Sequence, residues 1–577
     1  MDGGKERYGM NWSGKADCFR TIQQTSMATL VPAQEESVNF DATGNLIIEG
    51  DNLEVLKLLQ KAYFGKVKMI YIDPPYNTGN DFIYPDNYSE SLDTYLRYTG
   101  QVDDEGRKFS TNTEADGRFH SKWMNMMYPR LFLARNLLRD DGVIFISIDD
   151  AEVDNLRKIC NEVFWEENFL ACIVWQKKYA ATNDSKGFST THDYIVVYQK
   201  SESFKRNLLP RTEEQNAPYK NDDGDGKGLW RSDNLLVKSF SSSGVYPIIN
   251  PNTKEQFYPP EGSCWRASQD TMEKWLKENR IYFGKDGKGA PQLKRYLNEV
   301  QQGRVPITWW AFEEVGHNDA ANKEVSALFE SKTPFDTPKP SSLIKQMLFI
   351  ATDKSDIVLD FFAGSGTAAH SVLQLNQDDG GTRKFILVQL PEPCAADSDA
   401  AKAGYKTIAD ITKERVRRVI KKLQTENQDQ LGLETSADRD LGFKVFKLQS
   451  SNFTAWNRQQ PPDEATLVQE LKLHVDHLTP GRSQEDVLYE LLLKSGFPLT
   501  VKIEKLRLAD RDVYAIADGS LLICLEQNLT PEVIKAIADR QPSRMVCLDA
   551  GFANNDQLKT NAVQIMKSKG VVKFQTV

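Results

Sequence analysis

The chain has 577 residues, of which 40% are hydrophobic and 27% are charged, and its formal net charge is -9. This length is enough for about three or four domains, and the composition is that of a soluble globular protein. No apolar run is long enough for a membrane span, and the N-terminus lacks the apolar segment of a signal peptide. The seven cysteines form no C-x-x-C pair and the six histidines show no metal-ligand spacing, so we expect a cytoplasmic protein without a disulfide framework or zinc site. The negative charge counts mildly against a nucleic-acid partner, although a basic groove can lie on an acidic protein.

Alternating strand and helix patterns begin near residue 44, after an irregular N-terminal arm at residues 1–43. Short apolar runs predict strands, and apolar residues three and four positions apart predict helices. This order is typical of a parallel α/β sheet with helices on both faces. The predicted strands are residues 45–49, 67–72, 142–148, 173–175 and 194–198, and the predicted helices are residues 52–62 and 121–139.

The alternation stops at residues 201–335, which are rich in Gly, Asp, Asn, Lys and Trp and predict an inserted domain. It resumes with a strand at 356–361, a helix through Leu373 and a strand at 385–390. The basic segment ITKERVRRVIKKL predicts a helix that could contact phosphate, although a solvated amphipathic face is favoured. A polar linker near 425–440 then leads into a small α/β domain that continues to residue 577.

The strongest chemical signal is Asp73-Pro74-Pro75-Tyr76, directly after the apolar run VKMIYI. Ligands bind at the carboxyl ends of strands in open α/β sheets, so this turn is expected at a site. An exocyclic base amine is a poor nucleophile because its lone pair is conjugated into the ring. Acceptors on its hydrogens localise that lone pair, and the Asp73 carboxylate and the Pro74 carbonyl supply two of them. Tyr76 offers a stacking face for a flipped base; the alternative is a strand-ending Asp-Pro turn.

A second signal is a glycine-rich turn after the predicted strand DIVL. Glycines let the backbone approach a ligand, and the next helix presents its N-terminus. Thr367 follows Gly366 without the lysine of a Walker loop, and Ala369 breaks the dinucleotide pattern, so nucleotide triphosphates and dinucleotides are disfavoured. The turn comprises Asp360, Phe361, Phe362, Ala363, Gly364, Ser365, Gly366 and Thr367.

Several isolated residues admit two interpretations. Asp51 follows the strand before the Asp73 strand, and it either contacts a cofactor adenine or caps the next helix. Cys394 follows a proline, as in enzymes with a cysteine nucleophile, but an amine target needs no covalent catalyst, so a structural role is favoured. His120 and His192 are interpreted as packing or phosphate-contact residues rather than general bases.

Together the D-P-P-Y and F-A-G-S-G motifs, in this order, resemble the circularly permuted beta class of amino-group DNA methyltransferases. The stretches MIYIDPPYNTGNDF, HSKWMNMMYPRL, VLDFFAGSGTAAH and TIADITKERVRR are similar to the Mod subunits of type III restriction–modification systems. The resemblance implies an α/β fold: a Rossmann-like, S-adenosylmethionine-dependent methyltransferase core with an inserted target-recognition domain and a small C-terminal α/β domain. The loop has Phe361 where the broader family often has proline, which matches the type III variant.

The resemblance also implies functional residues. Asp73, Pro74, Pro75 and Tyr76 would form the catalytic motif, and the turn from Asp360 to Thr367 would bind S-adenosyl-L-methionine. The cofactor adenine would contact Asp51, its methionine end would lie against Lys339, Pro340 and Leu343, and either Gln389 or Glu392 would hold its ribose. No metal is required for methylation.

The implied domains are a catalytic half at 44–200, a target-recognition domain at 201–335, a cofactor half at 336–425, and a C-terminal domain at 426–577 for possible partner interaction. The implied substrate is adenine N6 in double-stranded DNA of the bacterial cytoplasm and nucleoid. The expected partners are a second copy and a Res subunit with helicase and nuclease. Candidate DNA contacts are Trp230, Arg231, Arg266, Arg295 and Arg304.

Three alternatives stay open. N4-cytosine methylation uses a related motif, although Asp rather than Ser at its first position favours adenine. Methylation of RNA or of protein glutamine usually has Asn there. A DNA-binding specificity module without activity would not need both motifs intact.

Overall fold

A computed structural model describes residues 9–78, 119–181, 187–237, 239–330, 333–429, 439–453, 478–553 and 555–577. The chain divides into two compact units, Met1–Arg206 with Ile307–Val577, and Asn207–Pro306. The predicted insert boundaries were 201 and 335, so helices Phe312–Val315 and Asn318–Phe329 belong to the larger unit rather than to the insert. The roles assigned to these segments stay predictions.

The larger unit is built on a ten-stranded sheet. Its strand order is β1-β10-β2-β9-β8-β3-β4-β6-β5-β7. In chain order the strands are β1 (Ala28–Pro32), β2 (Leu46–Glu49), β3 (Val67–Ile72), β4 (Leu138–Ile148), β5 (Phe169–Gln176), β6 (His192–Gln199), β7 (Trp309–Trp310), β8 (Ile357–Asp360), β9 (Lys384–Gln389) and β10 (Lys444–Ser450).

The sheet is mixed, and the prediction of an all-parallel sheet is wrong at two places. Six adjacent strands pair with one another in parallel: β10, β2, β9, β8, β3 and β4. Strand β6 lies antiparallel between β4 and β5, because β5 and β6 are consecutive strands that pair directly, as hairpin strands do. Strand β1 pairs antiparallel with β10.

Many helices of the larger unit contact this sheet, whereas the last two pack on a second sheet near the C-terminus. Those near the site are α2, which follows β2, and α3, which leads into β4. In chain order the helices are α1 (Lys15–Gln23), α2 (Asn52–Tyr63), α3 (Phe119–Leu137), α4 (Val153–Phe164), α5 (Phe312–Val315), α6 (Asn318–Phe329), α7 (Ser341–Ala351), α8 (Thr367–Asp379), α9 (Asp399–Lys402), α10 (Ile408–Asp429), α11 (Gln484–Ser495), α12 (Pro531–Ala538) and α13 (Asp556–Ser568).

Strand β3 shows why the sheet core was predictable. Its sequence VKMIYI is buried at every position, as expected of a central strand covered on both faces. Strand β8 pairs with β3 on one side and with β9 on the other, while β3 continues to β4. After β8 the chain continues to β9 on one side of the pair, and after β3 it continues to β4 on the other side. The carboxyl ends of these two strands form a topological switch point, where ligands bind in open α/β sheets.

The C-terminal segment is divided between two sheets. Strand β10 lies in the region predicted as a separate C-terminal domain, yet it pairs with β2 in the main sheet. Helix α11 packs its leucines into the main core. The rest forms a five-stranded sheet in chain order, with its own core against α12 and α13. Its strands are Ile503–Leu508, Arg511–Ile516, Leu521–Cys524, Arg544–Cys547 and Lys573–Thr576.

The smaller unit contains short strands and two helices around a core that includes Tyr246, Trp265 and Phe283. Its strands are Trp230–Asp233, Leu236–Val237, Ile248–Ile249, Gln256–Phe257, Cys264–Trp265, Ile281–Tyr282 and Gln292–Tyr296, and its helices are Glu213–Asn216 and Gln269–Lys277. In neither unit does a described helix have the length and apolar character needed to cross a membrane.

Candidate active site

The Asp73–Tyr76 turn begins where β3 ends, and its carboxylate is engaged by a lysine from a distant segment. Lys339 Nζ donates to Asp73 Oδ1 at 2.7 Å and to Oδ2 at 2.6 Å. The same ammonium lies 5.0 Å from the centroid of the Tyr76 ring. Both partners of the ion pair are largely shielded, with 11% of the Lys339 side chain and 25% of the Asp73 side chain exposed. The structure thus brings Lys339, which was predicted separately, to the motif that contains Asp73 and Tyr76.

Helix α3 fixes the other side of this turn. The indole N–H of the fully buried Trp123 donates to the Pro75 carbonyl at 2.7 Å. Asn77, which has a left-handed backbone with φ 62, donates to Glu152 Oε1 at 2.5 Å. Sequence reasoning missed Trp123 and Glu152, although Trp123 lies in the stretch HSKWMNMMYPRL. No described residue donates a hydrogen bond to the Pro74 carbonyl.

Tyr76 lies in an environment that keeps its phenol neutral. Its ring is partly buried against the core, and its hydroxyl is buried. Burial raises the pKa of Tyr76 well above its usual value, and the nearby Asp73 and Asp193 carboxylates raise this pKa further. Asp193 is the second residue of β6 and pairs with Lys177 Nζ at 2.5 Å, and its own pKa is raised by burial. Two carboxylates and two lysines therefore face one another beside the tyrosine, a cluster that the sequence did not reveal.

The glycine-rich turn follows β8 at the same edge of the sheet. Gly364 and Gly366 have left-handed backbones with φ 52 and 83, which explains glycine at both positions. The Gly364 N–H donates to Gln389 Oε1 at 2.7 Å. Asp360 is buried and accepts from the Phe362 N–H at 3.0 Å, and burial raises its pKa well above the usual range. The loop is thus held by its neighbours on both sides.

Asp51 lies at the end of β2, where its carboxylate is already used. Its Oδ1 accepts from the N–H groups of Leu53 and Glu54 at 2.9 and 3.2 Å, so Asp51 is the N-cap of α2. Its Oδ2 lies 3.4 Å from the buried Arg130 guanidinium. The neighbouring Asn52 donates to the Phe361 carbonyl at 2.7 Å and thereby ties α2 to the glycine-rich turn. Helix capping is the role that the geometry displays for Asp51.

The two candidates for a ribose contact differ in their availability. Gln389 is buried, with its carbonyl on Gly364 and its amide on the Leu390 carbonyl at 3.2 Å. Glu392 is partly buried, burial raises its pKa, and its carboxylate accepts no hydrogen bond from the residues that the structure describes. Pro340 is the residue before α7, and Leu343 is fully buried in that helix.

The basic helix α10 has an exposed face at Lys421 and Lys422, as its sequence favoured, but Arg415 departs from both interpretations. Arg415 is fully buried beneath the glycine-rich turn rather than solvated or free for phosphate. Its Nη1 donates to Ser365 Oγ at 2.7 Å and to Thr367 Oγ1 at 2.8 Å. Helical spacing alone does not distinguish a basic residue on a solvated face from one bonded to a neighbouring loop.

The isolated residues have structural contacts. His120 Nδ1 lies 2.7 Å from Glu152, and His192 Nε2 lies 3.1 Å from the Tyr194 hydroxyl. Burial raises the pKa of Cys394, which disfavours its thiolate.

The predicted DNA contacts occupy different environments in the smaller unit. Trp230 is buried and packs against Tyr282 with ring centroids 5.0 Å apart, so a packing role accounts for it. Arg266 and Arg295 both pair with Asp233 at 3.1 Å. The Arg231 guanidinium lies over the ring of Tyr219, and Arg304 is partly buried.

The chain is similar to one protein family and to several known proteins. Residues 67–395 match the family model N6_N4_Mtase, described as DNA methylase. The chain is 34% identical to the EcoP15I Mod subunit of Escherichia coli over 96% of this chain and 89% of that protein. It is 38% identical to the StyLTI Mod subunit of Salmonella typhimurium LT2 over 76% of this chain and 66% of that protein. The solved M1.HpyAVI–SAM complex aligns at 12% identity over 64% of this chain and 98% of that chain, with a TM-score of 0.28.

The family match over residues 67–395, together with an α/β sheet that carries the Asp73–Tyr76 turn and the glycine-rich turn, defines the protein as a DNA methylase with an α/β methyltransferase core. The predicted fold class is confirmed. The chain belongs to the Mod subunits of type III restriction–modification enzymes.

Proposed function

We propose that this Mod-family protein transfers a methyl group from S-adenosyl-L-methionine to adenine N6 in double-stranded DNA. The observation that carries the proposal is the position of two turns at one switch point. The Asp73–Tyr76 turn and the glycine-rich turn follow the paired strands β3 and β8 at their carboxyl ends. An amine held by the first turn would therefore lie beside a methyl donor held by the second.

The residues around the glycine-rich turn fit S-adenosylmethionine. Gly364 and Gly366 present backbone without side chains, and the carboxylate of Glu392 is available for two ribose hydroxyls. Gln389 would act indirectly by holding Gly364. Lys339, Pro340 and Leu343 would line the methionine end. When bound, the donor supplies a methyl group on a sulfonium sulfur, which is a good leaving group without a metal.

The catalytic turn would prepare the amine. Asp73 accepts one amine hydrogen and the Pro74 carbonyl accepts the other. The lone pair is then localised on the nitrogen and is less conjugated into the ring. Lys339 occupies one direction on each Asp73 oxygen, and the remaining lone pairs can accept the amine. The base stacks on the partly buried Tyr76 ring, a contact of about 1–3 kcal/mol. The surplus proton on the methylated nitrogen passes to Asp73. Most of the rate enhancement would come from positioning, which can contribute roughly 7–11 kcal/mol.

The partners follow from the family. Asn207–Pro306 would recognise the DNA sequence through its arginines, of which Arg295 is the more exposed of the pair on Asp233. The protein would act as a homodimer and would join a Res subunit for DNA cleavage. Light scattering of the purified protein, alone and with that subunit, measures both assemblies.

The test uses purified protein, S-adenosylmethionine and unmethylated bacterial DNA, followed by digestion and mass spectrometry of the nucleosides. We expect N6-methyladenine from the unmodified protein, with and without a metal chelator, and none from Asp73→Ala. Asp154→Ala is the matched control, because Asp154 is a surface carboxylate whose side chain is 79% exposed.

The other outcomes are distinct. N4-methylcytosine would keep the mechanism and overturn the base assignment. Loss of product with the chelator would overturn the metal-independent chemistry. Absence of any methylated base, with DNA binding intact, would leave a specificity module without activity.

A further inference from the structure

Arg415 is a buried charge whose bonds converge on the glycine-rich turn. Besides its bonds to Ser365 and Thr367, its Nη2 lies 3.2 Å from His370 Nδ1. Burial lowers the pKa of His370 well below its usual value, so this ring is neutral and Nδ1 can accept from the arginine. A buried guanidinium is costly unless it is well bonded. Because Arg415 donates to two hydroxyls of the glycine-rich turn, the burial of its charge points to a function at that turn.

The counter-ion of Arg415 connects it to the segment that carries Lys339. Glu324 on α6 lies 3.7 Å from Arg415 Nη2. The Glu324 carboxylate also accepts from the Ser341 N–H at 3.2 Å and from the Ser341 hydroxyl. Ser341 is two residues after Lys339, whose ammonium binds Asp73. Glu324 thus holds the start of α7, from which Lys339 reaches the catalytic turn.

A second contact joins the glycine-rich turn directly to the Lys339 segment. The Thr367 hydroxyl, which accepts from Arg415, donates to the Lys339 carbonyl at 3.4 Å. The glycine-rich turn and the Lys339 segment are therefore joined twice, once through Thr367 and once through Arg415 and Glu324. Movement of one segment relative to the other would stretch the 3.7 Å Arg415–Glu324 ion pair and the Thr367–Lys339 hydrogen bond, or break the charge-assisted hydrogen bonds at either end of that ion pair.

We infer that Arg415 and Glu324 are positioning residues that couple the conformation of the glycine-rich turn to the placement of Lys339 on Asp73. The inference rests on the proposed function in that the turn holds S-adenosylmethionine. Arg415 acts through Ser365 and Thr367, and Glu324 acts through Ser341. Occupation of the turn by the methyl donor would thereby set the catalytic carboxylate.

The first test is Arg415→Lys, which keeps the charge but loses the two-pronged contact with both hydroxyls. Arg383→Lys is the matched control. Arg383 is also buried and forms hydrogen bonds with Thr352 and Asp379. It directly precedes β9, however, and so lies at the amino ends of the parallel strands, whereas the glycine-rich turn lies at their carboxyl ends. We expect Arg415→Lys to weaken S-adenosylmethionine binding and to lower kcat, each by roughly tenfold or more, as for loss of one charge-assisted bond. The KM for DNA should stay within about twofold.

The second test is a double-mutant cycle with Lys339→Met. If Arg415 acts through Lys339, the kcat penalty of Arg415→Lys should shrink severalfold in the Lys339→Met background. Glu324→Gln, which keeps most of its volume, should give the same pattern with a smaller change in cofactor affinity. It serves as the alternative if Arg415→Lys fails to fold.

Two results would overturn the inference. One is an equal loss of cofactor affinity in Arg415→Lys and Arg383→Lys at matched thermal stability, which would indicate a merely structural role. The other is full additivity with Lys339→Met. Failure of the proposed function is distinguishable, because the unmodified protein would then neither bind S-adenosylmethionine in calorimetry nor methylate DNA.

Discussion

Trp123→Phe removes the indole N–H that donates to the Pro75 carbonyl at 2.7 Å and keeps an aromatic ring in the core. Trp123 is fully buried, so water cannot easily replace the lost donor. An unsatisfied buried acceptor costs roughly 1–3 kcal/mol. If that cost is expressed as displacement of the Asp73–Tyr76 turn in the transition state, the methylation rate falls by roughly 5- to 150-fold.

The assay is single-turnover methylation of DNA at saturating protein, which isolates the chemical step from product release. Trp310→Phe is the matched control. Trp310 is equally buried and its indole N–H donates to the Ile307 carbonyl at 2.8 Å, but it lies on the strand β7 at the edge of the sheet. The two variants therefore delete the same atoms and the same kind of hydrogen bond.

Equal rates for the two variants would refute the reasoning, whether both were slow or both were unchanged. So would a slow Trp123→Phe protein whose rate recovers when the temperature is lowered well below its melting point, because global instability would then account for the loss. A rate loss confined to Trp123→Phe at equal folded fraction is the expected result.

Variants of five other residues test Lys339, Lys177, Glu392, Asp360 and Arg295. Lys339→Met should lower kcat by roughly tenfold or more, since Asp73 loses both of its lysine hydrogen bonds, while Lys177→Met should affect it less. Glu392→Gln should raise the Kd for S-adenosylmethionine severalfold in calorimetry, and an unchanged value would assign the ribose contact elsewhere. Burial raises the pKa of Asp360 above its unfolded value, so folding stability should fall as pH rises above about 4, and Asp360→Asn should flatten the fall in Tm between pH 5 and 8. Arg295→Ala should weaken DNA binding and reduce the salt slope by about one if Arg295 contacts phosphate.

The sequence was most informative where one local pattern determines the structure. The run VKMIYI is apolar throughout, so a buried central strand followed by Asp73 at its end was predictable. Gly364 and Gly366 are required by positive φ angles, so the turn after β8 was predictable too. Both signals lie within a few residues of the feature that they predict.

Long-range contacts were not predictable in the same way. Lys339 and Asp73 are 266 residues apart, and the pairing of β3 with β8 and the packing of α7 on β3 bring their segments together. The burial of Arg415 depends on the loop above it, which helical periodicity does not encode. Strand β10 was assigned to a separate domain because the polar linker before it resembles a boundary, whereas pairing with β2 places it in the main sheet.

The candidate site and the segment Asn207–Pro306 belong to different compact units of the chain. The described contacts of the candidate site, such as those of Trp123 and Arg415, join residues of the larger unit. The segment Asn207–Pro306 has its own core, centred on aromatic residues such as Trp265 and Phe283. We therefore expect substitutions on the surface of that segment to leave the bonds of the Asp73–Tyr76 turn unchanged. Under the proposed function, DNA sequence preference can change there by exchange of arginines while Asp73 and the glycine-rich turn stay in place. The opposite order, with recognition residues placed among the strands of the sheet, would tie each change of specificity to the geometry of the methylation site.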